Sequence, residues 1–223
     1  MRAHARSSRK RAAILGAAAR AIARDGYHGM SMRDLSRATG TGLAGFYVHF
    51  ASKEDILFAL QSEAFDGLLE SAQQAIGCEH DPERRLHAFI LNHVLFFTMH
   101  PDLMRALVQQ AGALPADKRA AVRERKERYF GLARSLLEVI VEFGCGRASG
   151  RPCAEHDDAE LERATYALFG MLNWIYGWYE PSRHGSPETL ARTFHRIALC
   201  GSVTRCPFRD VPIDEGATAG GAT

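Results

Sequence analysis

The chain has 223 residues, 46% hydrophobic and 24% charged, which are ordinary values for a globular protein long enough to bury a core. No apolar run approaches the roughly 18 to 20 residues of a membrane span. The 5 cysteines lack C-x-x-C spacing, which argues against a disulfide scaffold or a zinc site. We therefore expect a cytoplasmic protein with no membrane segment, no metal and no cofactor. Residues 1–53 carry a charge of +8 and the remainder −6, which predicts a polyanion-binding N-terminal part.

The first sixty residues contain start and stop signals for four helices. Residues 8–24 repeat apolar side chains at helical spacing. Ser31 is a good N-cap for a second helix, which Gly40 ends after about two turns. The run 43–50 allows a third short helix, and Ser52 caps a fourth. Two short helices joined by a glycine-containing turn predict a helix-turn-helix.

The rest of the chain also predicts helices. Their start signals are Asp81–Pro82, His100–Pro101, Pro115, Asp157 and Ser186–Pro187, with ends near 99, 110, 143, 180 and 201. The stretch 144–156, rich in Gly, Pro and Cys, predicts a loop, and 202–223 predicts a disordered tail. The expected fold is all-α, with about nine helices. A three-helix helix-turn-helix domain at 1–53 precedes a helical ligand-binding and dimerisation domain at 54–201.

The segment GTGLAG, Gly40 to Gly45, has the G-x-G-x-x-G spacing of a dinucleotide-binding turn. An enzyme that binds a nucleotide cofactor through this loop is therefore an alternative. That alternative requires a strand before Gly40, whereas residues 27–39 carry helical signals. A helical interaction module without a DNA role is a third hypothesis, but it leaves the basic N-terminal quarter unexplained.

The chain resembles the TetR family of regulators over about residues 10–60. The similarity lies in Gly26–Tyr27, Ser31 to Leu35, Gly40, Phe46 to Phe50, Ser52 to Glu54 and Leu57. It implies a ligand-responsive transcriptional regulator, most often a repressor, that binds a palindromic double-stranded DNA operator as a homodimer. The DNA-binding residues that it implies, together with those we add from charge and position, are Arg11, Ser31, Met32, Arg33, Thr41, Gly42, Leu43, Ala44, Gly45, Tyr47, His49 and Lys53.

The recognition helix departs from the family pattern, because Gly42, Leu43, Ala44 and Gly45 supply almost no hydrogen-bond donors. We therefore expect sequence preference to depend on Arg33, Thr41 and DNA shape. Lys53 is expected to contact the phosphate backbone.

The segment 157–180 is apolar around most of its circumference, which predicts that more than one side of this helix is covered. One side is expected to form a homodimer interface with the last helix, through Leu161, Leu168, Leu172, Ile175, Phe194 and Ile197. The other side is expected to line an effector pocket with Phe65, His93, Phe97, Met104, Tyr129, Trp174 and Trp178. The C-terminal half is also similar to regulators of acyl-CoA, fatty-acid and steroid catabolism, which implies a small hydrophobic or acyl-CoA effector.

Overall fold

The computed structural model describes residues 2–109, 113–149 and 158–202, and within them the prediction of an all-α fold is confirmed. The described residues form ten α-helices and one 3-10 turn. These are α1 (Arg2–Gly29), α2 (Met32–Ala38), α3 (Leu43–Tyr47), α4 (Lys53–Gly77), α5 (Pro82–Met99), α6 (Pro101–Gln109), α7 (Ala116–Ser149), α8 (Asp158–Asn173), the 3-10 turn Ile175–Gly177, α9 (Pro181–His184) and α10 (Pro187–Ser202).

The N-terminal head consists of α1, α2, α3 and the first turns of α4. Its core is a cluster of fully buried side chains, which includes Ile14, Ile22, Leu35, Phe46 and Ile56. Helix α1 is kinked at Gly26, whose φ of 74° lies in the left-handed region. The kink turns the chain towards Ser31, where α2 begins.

The C-terminal body packs α5 against α4, α7, α8 and α10. Its core includes Phe89, Ile90, Leu137, Leu168 and Leu172, all at most 2% exposed. Helix α4 belongs to both parts, because its first turns lie in the head cluster and its later turns in the body cluster. The head and the body therefore share one continuous helix, which begins at Lys53.

Helix α6 also contacts both parts. Ala106 is buried in the head cluster, whereas Met104 and Leu107 are buried in the body cluster. Leu103 and Phe65 pack against both clusters. A displacement of α6 therefore changes packing in the head and in the body together.

Two predicted boundaries in the C-terminal body were wrong. The loop expected at 144–156 is helical as far as Ser149, because isolated glycines cost a helix only about 1 kcal/mol each. The remainder of that loop lies outside the described residues, as does the tail predicted at 202–223 except for Ser202, which is the last residue of α10. The helix expected at 157–180 ends at Asn173 and continues as a 3-10 turn, where the Trp174 ring packs over Gly177.

Candidate DNA-binding surface and internal cavity

The helix-turn-helix is built by local caps. The Ser31 oxygen accepts a hydrogen bond from the Asp34 backbone N–H at 3.1 Å, and its hydroxyl bonds the Asp34 carboxylate at 2.5 Å. Gly40 has a φ of 61°, a turn conformation that L side chains rarely adopt. Helix α3 then begins with Gly42 as an N-cap that offers no side-chain bond. GTGLAG is thus the turn and first part of a recognition helix, and a helix rather than a strand precedes it.

Most of the predicted DNA contacts are accessible. Arg33, Gly42, Leu43, Ala44, Gly45 and Tyr47 are exposed, and Ser31, Met32, His49 and Lys53 are half-buried. Val48, which follows α3, is 83% exposed and was not among the predicted contacts. Its only signal in the sequence was its place between two residues that were predicted contacts, Tyr47 and His49.

Thr41 requires a correction, because it is buried in the turn between α2 and α3. Its backbone N–H donates to the Ser36 carbonyl at 3.1 Å, and the Ser36 hydroxyl donates to the Thr41 carbonyl at 2.6 Å. These bonds fix the turn and leave the threonine side chain inside the head. Among the residues predicted to read bases by hydrogen bonds, Arg33 is the exposed one.

Lys53 faces the end of α1 as well as solvent. Its ammonium donates to the Tyr27 carbonyl at 3.2 Å and to the His28 carbonyl at 3.4 Å, and it lies 4.5 Å from the Tyr27 ring centroid. The Tyr27 hydroxyl donates to Glu54 at 3.2 Å. Burial, with the nearby Glu54 carboxylate, raises the pKa of Tyr27 to about 12. Lys53 therefore holds α1 against α4, a role that the sequence alone did not indicate.

Arg11 is also held within the head. Its guanidinium forms an ion pair with Glu63 of α4 and lies 5.2 Å from the Phe50 ring centroid. The neighbouring Arg9 and Lys10 are exposed and carry no such contact in the described residues. The freely accessible positive charge at this end of the head thus comes from Arg9 and Lys10, which with Arg11 form the basic cluster that the sequence predicts to face the DNA backbone.

The body contains a partly open cavity of about 580 Å³ between α4, α5, α6, α7 and α8. Five of the residues predicted for the effector pocket line it: Phe65, His93, Phe97, Met104 and Tyr129. Trp174 and Trp178 require a correction, because neither lines it. Trp174 follows the end of α8 and is 61% exposed, and the Trp178 ring packs beside His184 and Phe194 instead.

Several residues that line the cavity are not predicted from the sequence. Phe130 and Phe169 stack with centroids 5.7 Å apart, and Tyr166 lies 4.7 Å from Phe130. Arg123 and Lys126 bring positive charge to the same cavity. Burial lowers the pKa of Lys126, whose ammonium lies 5.4 Å from the Phe65 ring centroid. Tyr129 and Phe130 are adjacent aromatic residues in the sequence of α7, but the periodicity did not indicate that both side chains line the cavity.

One polar pair lies deep in the cavity wall. His93 Nδ1 and the Tyr129 hydroxyl are 3.2 Å apart, and both residues are almost fully buried. Burial lowers the pKa of His93 to about 3, although a hydrogen bond with the Leu172 backbone acts in the opposite direction. The imidazole is therefore neutral at physiological pH.

The predicted dimer interface requires the largest correction. Leu161, Leu168, Leu172, Ile175 and Phe194 are buried in the core of a single chain, where a partner subunit cannot reach them. Of the six predicted residues, Ile197 is exposed, at 48%. The other apolar side chains of the segment 157–180 that reach the surface include Met171, which is half-buried, and Trp174, which is exposed.

Two family models match this chain. Residues 14–60 match the model described as bacterial regulatory proteins, tetR family. Residues 79–202 match the model described as tetracyclin repressor-like, C-terminal domain. The chain belongs to the TetR family. The TetR resemblance seen in the sequence is confirmed, and the chain is a transcriptional regulator with a DNA-binding helix-turn-helix and a ligand-binding domain.

Individual relatives agree with this TetR assignment. The fatty acid metabolism regulator protein of Bacillus subtilis (strain 168) is 29% identical over 133 residues, which are 59% of this chain and 68% of the relative. PfmR of Thermus thermophilus, a TetR family transcriptional regulator, is 29% identical, with a TM-score of 0.71 over 83% of this chain and 96% of its own. AibR, solved with isovaleryl coenzyme A and operator DNA, is 25% identical, with a TM-score of 0.66 over 84% and 97%.

Two other kinds of site are absent from the part of the chain that the structure describes. None of its helices is both long and apolar enough to cross a membrane. No three His, Cys, Asp or Glu side chains there come together as a metal site. The chemistry of these described residues is that of a DNA-facing helix and an aromatic cavity.

Proposed function

We propose that this TetR family member is a repressor that binds a palindromic operator as a homodimer and releases it when a small molecule fills the cavity. Its place of action is the cytoplasm, where the operator is. The observation that carries the proposal is the position of α6. Met104 and Leu107 face the cavity, while Ala106, between them, is buried in the head cluster.

The cavity and the head are linked through these contacts. A ligand that displaces Met104 or Leu107 also shifts Ala106 against α1, to which α6 is extensively packed. Phe65 of α4 adds a second link, since it lines the cavity and packs against both clusters. Repacking of α4 and α6 would change the distance between the two recognition helices of a dimer, on which binding to an operator with two half-sites depends.

The dimer surface that we propose is the exposed apolar side of α8 and α10. Met171, Trp174 and Ile197 contribute to it, and Trp174 and Ile197 are 61% and 48% exposed in the single chain. Apolar side chains of this size gain most by burial against a partner. Ile197→Asp should therefore give a monomer in sedimentation, whereas Met99→Asp, an exposed apolar control outside α8 and α10, should leave the dimer intact.

The effector that we propose is a hydrophobic molecule with an anionic end, such as an acyl-CoA. The aromatic walls suit the apolar part, and Arg123 and Lys126 suit phosphate or carboxylate. The likeness to a fatty acid metabolism regulator and to AibR, which was solved with isovaleryl coenzyme A, supports this class. A smaller hydrophobic ligand without an anionic end is the alternative, because the acidic Glu127 also lines the cavity.

A mobility-shift assay with the DNA upstream of the gene tests the DNA-binding part. The dimer should bind this fragment in preference to a scrambled duplex of equal length, and its affinity should fall steeply with salt. CoA thioesters of increasing chain length are then added to the complex. Equal binding to both duplexes would refute a specific operator in this fragment, and release by none of the thioesters would refute the effector class.

A further inference from the structure

A second groove lies at the junction of the head and the body. It has a volume of about 540 Å³, and its walls come from α1, α4, α5 and α6. Leu103 of α6 lines this groove and packs against both core clusters, whereas Met104, the next residue, lines the body cavity. Helix α6 therefore separates two spaces, and the proposed effector occupies only the body cavity.

The floor of the groove is apolar, and a glycine of α1 keeps it open. Leu15, Leu60 and Phe96 contribute to this floor. Gly16 lies in the interior of α1, where a glycine weakens a helix, and its φ is not positive. A Cβ added there would lie 3.6 Å from a guanidinium nitrogen of Arg20, an ordinary contact with the end of a flexible side chain. Neither the backbone nor the packing requires this glycine, and its effect is to leave space in the groove.

The acidic and basic side chains around the groove balance one another. Arg20 of α1 and Asp102 of α6 line it, and Glu63 of α4, which also lines it, forms an ion pair with Arg11. The charges of these four groups sum to zero, so a ligand ion would meet attraction and repulsion together and would lose part of its hydration. A hydroxyl group, by contrast, can donate to the Asp102 carboxylate or accept from the Arg20 guanidinium.

We propose that this groove is a second ligand site, which takes an uncharged hydrophobic molecule with a terminal hydroxyl group, such as a medium-chain alcohol. The chain lies against the apolar floor, and the hydroxyl lies near Arg20 and Asp102. The body cavity differs in charge, because Arg123 and Lys126 outnumber Glu127 there and favour an anion. A molecule in the groove contacts α1 of the head and α5 of the body together.

Methionine methyl NMR separates the groove from the body cavity, because Met99 lines the groove and Met104 lines the cavity. We would label the methionine methyl groups of the full-length protein with ¹³C and assign the two signals with Met99→Leu and Met104→Leu. The protein is then titrated with octanol, octanoate and octylammonium. The Met99 signal should shift saturably with octanol, with an affinity about fivefold or more above that for either ion, since the ions lose hydration without a net electrostatic gain.

Two substitutions test the space and the charge balance. Gly16→Leu should fill the groove and abolish the response of Met99 to octanol. Gly131→Leu in α7, where a Cβ meets open space, is the matched control and should retain this response. Asp102→Asn should raise the octanoate affinity reported by Met99 about fivefold, because it removes a repulsive charge at a partly exposed site. If Gly16→Leu does not fold, the comparison of the ligands and Asp102→Asn decide.

Three results would overturn the site. They are a Met99 signal that octanol leaves unmoved, a signal that responds equally to the alcohol and to both ions, and a response that survives in a folded Gly16→Leu variant. An octanoate affinity that Asp102→Asn leaves unchanged would overturn the charge selectivity. Each of these results leaves the proposed effector cavity standing, because the Met104 signal reports on that cavity separately.

Discussion

Lys118, in the first turn of α7, forms an ion pair with Asp55, in the first turn of α4. Asp55 also belongs to the cap of α4, since its backbone N–H donates to the Ser52 oxygen at 3.1 Å. The body thus holds the helix that directly follows the recognition helix. The Lys118 ammonium and the Ser52 hydroxyl lower the pKa of the Asp55 carboxyl.

We expect Lys118→Met to lower the free energy of unfolding by about 0.5–1 kcal/mol, because the pair is partly exposed. An aspartate with a lowered pKa stabilises the fold above its ordinary value of 3.8, and this contribution is lost as pH falls through the lowered pKa. Urea unfolding of both proteins should therefore show a constant difference from neutral pH to about 4 that shrinks below it. A difference that grows on acidification would contradict the assignment.

Arg33 and Lys53 should affect DNA binding in different ways. Arg33→Ala should relax base preference at one position and cost about 1–3 kcal/mol on the preferred site. Lys53→Ala should weaken all duplexes alike, because it removes a charge and loosens α1 from α4. Fluorescence anisotropy on matched and mismatched duplexes measures both effects. Arg37→Ala removes an exposed charge already paired with Asp34 and serves as the control. The reverse pattern would show that Arg33 is not the base reader.

Substitution of Gly45 by alanine should change protein stability and operator affinity in opposite directions. An added Cβ would lie 3.6 Å from the Thr41 methyl carbon, an ordinary contact, so Gly45→Ala should raise the unfolding free energy by up to about 1 kcal/mol. On the DNA-facing side the same methyl should reduce operator affinity. Gly131→Ala in α7, where a Cβ meets open space, should raise stability without changing DNA binding. Unchanged operator affinity in Gly45→Ala would show that the backbone does not approach DNA there.

His93 should make the fold sensitive to acid. Its pKa is lowered by burial from 6.5 to about 3, so the unfolded chain takes up a proton below 6.5 that the folded protein refuses. Above pH 6.5, His93 therefore does not reduce the free energy of unfolding. As the pH falls from 6.5 towards 3, this residue lowers the free energy of unfolding progressively. His93→Phe should flatten the decline of the unfolding free energy in this window, measured by chemical denaturation at several pH values. His195, whose pKa burial also lowers, contributes equally in both proteins. Parallel pH profiles would mean that His93 is not buried as described.

The head was largely predictable from sequence because its signals are local. Ser31 and Ser52 were recognised as N-caps and Gly40 as a turn residue, and the structure has them in these roles. Each signal depends on neighbours within four residues. Thr41 was misjudged because its burial depends on how Ser36 closes the turn. Lys53 and Arg11 have partners 26 and 52 residues away, which no local pattern indicates.

The body was less predictable because periodicity identifies an apolar face but not its partner. Leu168 and Leu172 were correctly placed on one stripe of α8, and the sequence could not tell a partner subunit from the protein's own core. Trp174 and Trp178 were assigned to the cavity on the assumption that α8 continues past Asn173. The polar pair of His93 and Tyr129 joins residues 36 positions apart, so only the packed fold could reveal it.

Operator affinity with and without a bound CoA thioester tests the central claim most directly. Fluorescence anisotropy should show that a thioester which binds the protein weakens its operator complex by about tenfold or more, within the usual range of allosteric coupling. Phe169→Trp, which enlarges a ring in the cavity wall, should bind the operator normally and lose the response to the thioester. Thioesters that bind the wild-type protein without changing its DNA affinity, or a Phe169→Trp variant that responds like the wild type, would contradict the account.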